Sequence, residues 1–231
     1  MHYNKIGIIV AMNSEFELVN ALLSDVTHAQ HKHLDFCVGR IGEKEIILLK
    51  SGIGKVNAAI AATCMIQEFM PDCIINTGVA GGIDKRLKVA DIVIAQKTAY
   101  HDFYAGEVQN HQEELGFPDE IQADKELVKT LKSKLLYNKK FFFGLICTGD
   151  QFITNNDELM QIKKKHPCGL AVDMESNSIA QVCFYHEIPF VSFRIISDTP
   201  WVDNHLQQYE NFWEEAPQKT FQLLKILLAE I

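Results

Sequence analysis

The chain has no excess of positive charge. Its 22 Lys and Arg stand against 30 Asp and Glu, a net charge of −8. Apart from Lys163-Lys164-Lys165 and Lys139-Lys140 the basic residues do not cluster. Short runs of that kind read as solvated faces, so nucleic acid is not an expected partner. No stretch approaches the ~18–20 continuous apolar residues of a membrane-spanning helix, and no membrane partner is expected. The six cysteines, at positions 37, 64, 73, 147, 168 and 183, form no C-x-x-C pair. Several sit inside apolar segments, which points to reduced core thiols in a cytoplasmic protein rather than to disulfides or zinc ligands. Nine histidines lack H-E-x-x-H or paired spacing, so neither a metal nor another cofactor is expected. The N-terminal MHYNKIGIIVAM lacks the length and cleavage pattern of a signal peptide and reads as a first strand. Ser51-Gly52-Ile53-Gly54-Lys55 is not a P-loop, which requires GxxxxGK[ST]; it reads as a turn before a helix. Linkers, internal repeats and low-complexity segments are absent.

What is present is apolar material for one core. The chain has 231 residues, 47% hydrophobic and 23% charged, and reads as a single domain over 1–231. Strands are expected at residues 6–10, 34–40, 45–50, 73–76, 89–95, 141–147, 170–172 and 190–196. Helices are expected after Ser14, over 56–70, from Asp124, over 176–186 and near the C-terminus, where Pro217 kinks or restarts the last one. Ser14 with Glu17 three residues on reads as a capping box. Residues 104–122 are polar and aperiodic, and read as a long loop. This alternation predicts a three-layer α/β/α domain with a central mixed sheet.

The stretch GLAVDMESNSIAQVCFYHEIPFVSFRIISD, residues 169–198, carries the densest signal. Two neighbouring apolar strands each end on acidic groups. Ligands of open α/β sheets lie outside the carboxyl ends of strands, so Glu175, Arg194 and Asp198 converge on a candidate site. The same residues also read as a structural ion pair, since an Arg in an apolar strand needs a partner. Asp198 reads equally as a turn cap before Pro200. Glu15, in a first helical turn, reads as a carboxylate favoured by the helix dipole. Phe152 reads as core or as a stacking surface. Thr77-Gly78-Val79-Ala80-Gly81-Gly82 reads as a tight turn or as a place where backbone approaches a ligand closely.

The AVDMES and RIISD strings resemble the signature region of the 5′-methylthioadenosine/S-adenosylhomocysteine nucleosidases, a family of the nucleoside phosphorylase superfamily. GIIVAM with Glu15, SGIGKV, NTGVAGG and TGDQFI agree and fall in the family's order, covering residues 6 to about 212.

The resemblance implies a nucleoside phosphorylase-like fold and hydrolysis of the N-glycosidic bond of adenine nucleosides, an activity of methionine salvage. By it, Asp198 protonates the leaving purine at N7 and Glu15 activates water. Glu175 accepts hydrogen bonds from the ribose hydroxyls, and Met174 packs under the sugar. Phe152 stacks on adenine while backbone near Ile153 reads its edge, and Arg194 organises the acids and the water. Ile53, Tyr209 and Phe212 suit an apolar 5′-alkylthio group. It also implies a homodimer in which a neighbour's loop closes the 5′ pocket. Two departures stand out: Val79, where many members have Ser, and residues 103–118. A phosphorylase would carry an Arg-bearing loop near the N-terminus, and this chain has no Arg before Arg40. The alternatives are a purine nucleoside phosphorylase of the same fold and a non-catalytic adenine-nucleoside-binding protein. Joint presence of Glu15, Glu175 and Asp198 speaks against the second.

Overall fold

The computed structural model describes residues 3–106, 116–135, 140–202, 204–215, 221, 222, 224, 225, 227, 228 and 231. In chain order the elements are β1 (Lys5–Val10), α1 (Asn13–Asn20), β2 (Ser24–His31), β3 (Leu34–Ile41), β4 (Lys44–Lys50), α2 (Lys55–Phe69), β5 (Cys73–Gly82), β6 (Ile92–Tyr100) and β7 (Ile121–Gln122). They continue with α3 (Lys125–Leu135), β8 (Phe141–Thr148), α4 (Asn156–Lys165), β9 (Gly169–Asp173), α5 (Ser176–His186), β10 (Phe190–Asp198) and α6 (His205–Glu215).

The strands form one mixed sheet in the order β10-β6-β8-β9-β5-β1-β4-β3-β2, with β7 on β6. β10 also pairs in parallel with β5, so β5, β9, β8, β6 and β10 close on themselves. Alternation along the central strands feeds two cores. Ile6, Ile8 and Val10 of β1 face one side with Leu127 and Leu131 of α3 and Phe212 of α6. Ile9 faces the other with Ala58, Ala61, Ala62 and Met65 of α2 and Ile179 and Cys183 of α5. Both faces are covered, which gives the three layers that the sequence predicts. Small residues bring α2 close to the sheet: Met65 Sδ occupies the place where a Cβ of Gly7 would stand.

Several local expectations are corrected. α1 starts earlier than a Ser14 cap requires, and its return bonds come from Glu15, not Glu17: Glu15 Oε2 accepts from the N–H groups of Ala11 (2.9 Å) and Met12 (3.0 Å). The glycine-rich 77–82 segment is no turn; it is the second half of β5, held by β10 and β9. β2 was not expected, because it is an edge strand exposed along nearly its whole length and so lacks hydrophobic alternation. α4 was not expected either; the Asn155 side chain caps it by accepting from Glu158 N at 3.0 Å. The expected loop over 104–122 ends in the short β7, and its middle, residues 107–115, lies outside the described residues, as do Lys139 and Pro217.

Gly78 sets how closely β5, α1 and β10 approach. Its φ is +149°, and a Cβ there would collide with Glu15 Oε1 and lie 2.7 Å from Arg194 Nη1. Neither neighbour is free to move, since both are buried and hydrogen-bonded. Gly78→Ala is expected to cost roughly 1–3 kcal/mol from backbone strain alone, with a further loss from displaced charge. Urea unfolding checks this; a midpoint equal to that of the parent would contradict it.

Candidate active site

A cleft of about 650 Å³ opens where these strands end. The turn after β1 supplies Ala11, Met12 and Glu15; β5 supplies Val79 and Gly81; the segment after β8 supplies Gln151, Phe152 and Ile153. The end of β9 and the turn after it supply Val172, Asp173, Met174 and Glu175, and β10 supplies Arg194, Ser197 and Asp198. Ile53, Pro200 and Tyr209 complete the wall. Every residue singled out from sequence therefore meets here, except one. Phe212 is buried in the core, its ring packed against Trp213, and is not among the residues that line the cleft. Phe212 and Tyr209 share a side of α6, but Phe212 packs into the core with Ile6, Ile8 and Val10.

Arg194 is the only cation among the described residues lining the cleft. It is 1% exposed. Its Nε lies 2.8 Å from Asp173 Oδ2, and its Nη2 donates to Asn76 Oδ1 (2.7 Å) and to Glu175 Oε2 (3.2 Å). Ser176 Oγ donates to Asp173 Oδ2, and Thr148 Oγ1 donates to Asp173 Oδ1 at 2.6 Å. Both readings of the sequence hold at once: Arg194 forms structural ion pairs, and those pairs line the cleft.

Glu175 sits at the start of α5. Its Oε1 accepts from Gly54 N at 3.0 Å, so the Ser51–Lys55 turn does more than join two elements. Burial pushes its carboxyl up to about 7; the Arg194 guanidinium pulls it down, and Asp173 pushes it further up.

Glu15 is 1% exposed and bonded on both oxygens. Oε2 takes the two N–H groups of the α1 turn, and Oε1 accepts from Val79 N at 2.9 Å. Burial raises its carboxyl, while Arg194 and the three N–H donors oppose the rise. The net effect is a carboxyl raised above its ordinary value.

Asp198 has a different setting. It is 2% exposed, with one hydrogen bond, from Ser197 Oγ to Oδ1 at 2.8 Å, and His205 Nδ1 lies 3.6 Å from Oδ2. Burial again raises its carboxyl, opposed by Ser197 and His205. The two carboxyl groups thus differ in their partners, Arg194 and three backbone N–H groups at Glu15 and Ser197 and His205 at Asp198. The rest of the wall is apolar. Phe152, 46% exposed, meets Tyr209 edge-on with ring centroids 5.6 Å apart, and the Tyr209 hydroxyl reaches Met12 Sδ at 3.7 Å.

Sequence reasoning missed Asp173, Asn76, Ser176 and His205 as members of this arrangement. Asn76 carried a readable signal, a polar residue inside the apolar run CIIN. Asp173 stood two residues before Glu175. His205 gave none, since its contact with Thr154 spans 51 residues of chain. Among the described residues no cluster of His, Cys, Asp and Glu could hold a metal ion, and no helix is long and apolar enough to cross a membrane.

The pattern of the phosphorylase superfamily matches residues 5–229. A 5′-methylthioadenosine/S-adenosylhomocysteine nucleosidase of Haemophilus influenzae is 42% identical over 196 residues, 84% of this chain and 85% of the relative. One from Staphylococcus haemolyticus is 37% identical over 227 residues, 96% of this chain and 98% of the relative. The solved structure of the S. pneumoniae 5′-methylthioadenosine/S-adenosylhomocysteine nucleosidase with the transition-state inhibitor MT-ImmA superposes with a TM-score of 0.87 at 32% identity, covering 98% of this chain and 99% of that one. The chain belongs to the phosphorylase superfamily and, within it, to the 5′-methylthioadenosine/S-adenosylhomocysteine nucleosidases.

Proposed function

We propose that this chain, as a single domain over residues 1–231, hydrolyses the N-glycosidic bond of 5′-methylthioadenosine and S-adenosylhomocysteine. It releases adenine and the 5′-thio-substituted ribose and serves methionine salvage. The observation that carries the reading is the charge of the cleft: four carboxyl groups and one arginine that is already engaged. Phosphate would meet Glu15 where it needs a cation. Water would meet a base. This favours hydrolysis over the phosphorylase alternative.

In this mechanism adenine stacks on Phe152, and backbone at Ile153 reads its edge. Asp198, whose carboxyl burial raises, gives its proton to N7 as the N9–C1′ bond breaks. The electron pair of that bond goes to the purine, and C1′ becomes cation-like. Glu175 accepts hydrogen bonds from the ribose hydroxyls, which become more acidic as that charge develops, and Met174 lies under the sugar. Glu15 takes a proton from the water that attacks C1′. Arg194 fixes Glu175 directly and Glu15 through the field it sets. Ile53 and Tyr209 border the apolar 5′ group, and Val79 contributes its N–H to Glu15 in place of a side-chain donor.

We also infer a homodimer in the cytoplasm. Ile53, Val56 and Ile60 are 51%, 69% and 52% exposed, and they form an apolar stripe at helical spacing beside the mouth of the cleft. Cys37, Cys73, Cys147 and Cys183 are free and buried, as a reducing compartment allows.

Incubation with methylthioadenosine, with and without phosphate, is the direct test. Free methylthioribose is expected in both cases. Glu15→Gln and Asp198→Asn are each expected to lower turnover by roughly 10²–10⁴-fold. Obligate phosphate dependence with a sugar 1-phosphate product would overturn the reading. Sedimentation is expected to show a species of twice 26.2 kDa; a fully active monomer at micromolar concentration would refute the dimer.

A further inference from the structure

His205 opens α6, seven residues after Asp198, and is 5% exposed. Its Nε2 lies 2.9 Å from the carbonyl oxygen of Thr154, which can only accept, so Nε2 carries a hydrogen. The neutral ring then has its lone pair on Nδ1. That nitrogen is buried without a hydrogen-bond partner and stands 3.6 Å from Asp198 Oδ2. A buried, unpartnered imidazole nitrogen costs free energy unless the active state uses it.

The turn between the two residues is built to hold them. Gln208 Oε1 accepts from Thr199 N at 2.9 Å and from Thr199 Oγ1 at 3.0 Å, which ties the first turn of α6 to the end of β10. Trp201 Nε1 donates to Ile83 O at 2.9 Å and anchors the same turn from outside. Among the described residues the other titratable groups around the pair are Tyr209, one turn along α6, and Glu158, whose Oε2 accepts from Thr154 N at 3.0 Å. Asp198 adds to the rise of the Tyr209 hydroxyl, while Ser197 and His205 lower Asp198.

We propose that His205 is a positioning residue that shares one proton with Asp198 and recharges it after each turnover. This rests on Asp198 being the general acid. The pair has two one-proton forms, a carboxylic acid donating to Nδ1 and an imidazolium donating to the carboxylate. When N7 takes the carboxyl proton, the carboxylate left behind faces Nδ1. Once adenine leaves, a proton from the reopened cleft enters the pair and is shared between Oδ2 and Nδ1, while Glu15 releases to solvent the proton it took from water. One proton enters and one leaves, so the cycle balances. The contact has only to shorten from 3.6 Å to hydrogen-bond length as the site loads.

Coupling of this kind widens the pH range over which the pair holds a single proton. Sharing makes that single proton hard to lose. Activity therefore falls at high pH only when the shared proton leaves.

The experiment compares kcat against pH for the parent, His205→Gln, His205→Asn and Asp198→Asn. Each is measured on methylthioadenosine and on a nitrophenyl 5-methylthioriboside, whose leaving group needs no protonation. His205→Gln can keep a hydrogen bond to Thr154 O, and His205→Asn keeps an amide beside Asp198; neither can carry the proton. Both are expected to lose about tenfold or more on methylthioadenosine and much less on the nitrophenyl substrate. The alkaline limb is expected to move about one pH unit lower. An unmoved limb, or equal losses on both substrates while Asp198→Asn still discriminates between them, would overturn the role of His205 alone. Equal losses for Asp198→Asn would remove the acid assignment, and the inference would fall with it.

Discussion

A single guanidinium holds this molecule's polar interior together. Arg194 stands in the middle of β10, where every residue is buried, and an unpaired charge there would cost several kcal/mol. Asp173 and Glu175 neutralise it, Asn76 takes one N–H, and Ser176 and Thr148 satisfy Asp173. These residues come from β5, β8, β9, α5 and β10. The ion pairs therefore fix the relative placement of five elements as well as their own charges. Gly78 belongs to the same constraint: only a residue without a Cβ lets β5 pass between Glu15 and Arg194.

The chemistry follows from how unevenly that charge is shared. Glu15 and Glu175 lie within the field of Arg194, while Asp198 lies beyond it and answers to Ser197 and His205. Burial raises all three carboxyls. The guanidinium and three backbone N–H groups oppose the rise at Glu15, and Ser197 and His205 oppose it at Asp198. One cleft can then hold a base at one position and an acid at another near neutral pH. The closed run of strands gathers these groups at the end of β10 and at the starts of α1 and α5, and rigid backbone sets their separation.

Much of this was legible in the sequence. The alternation of apolar strands with helix-period segments gave the layers, and α5 has the bounds expected of it because Pro189 and the apolar spacing mark its end. The site residues carried by strand ends were legible for the same reason. What failed had a physical cause in each case. β2 is an exposed edge and shows no alternation. The glycines of 77–82 read as a turn, yet they extend a strand that must pass close to buried side chains. Glu17 fits a capping motif, but Glu15 makes the bonds, because the helix begins before Ser14. Phe212 has the chemistry of a pocket wall but packs in the core beside β1 and α3. His205 depends on a contact with Thr154 that no local pattern reveals.

The central claim is that Arg194 is what allows buried carboxylates to remain charged. The measurement that tests it most directly is the unfolding free energy of Arg194→Met against the parent, followed from about pH 5 to pH 8. A carboxyl whose folded value is raised, as that of Glu175 is, stabilises the fold least once the pH rises above its unfolded value and through its folded one. Removing Arg194 raises such values further. The variant is predicted to lose about 3–5 kcal/mol near neutral pH, with a penalty that grows as the pH rises and shrinks as the carboxyls protonate. A penalty that is absent, or that stays constant across this range, would contradict the account.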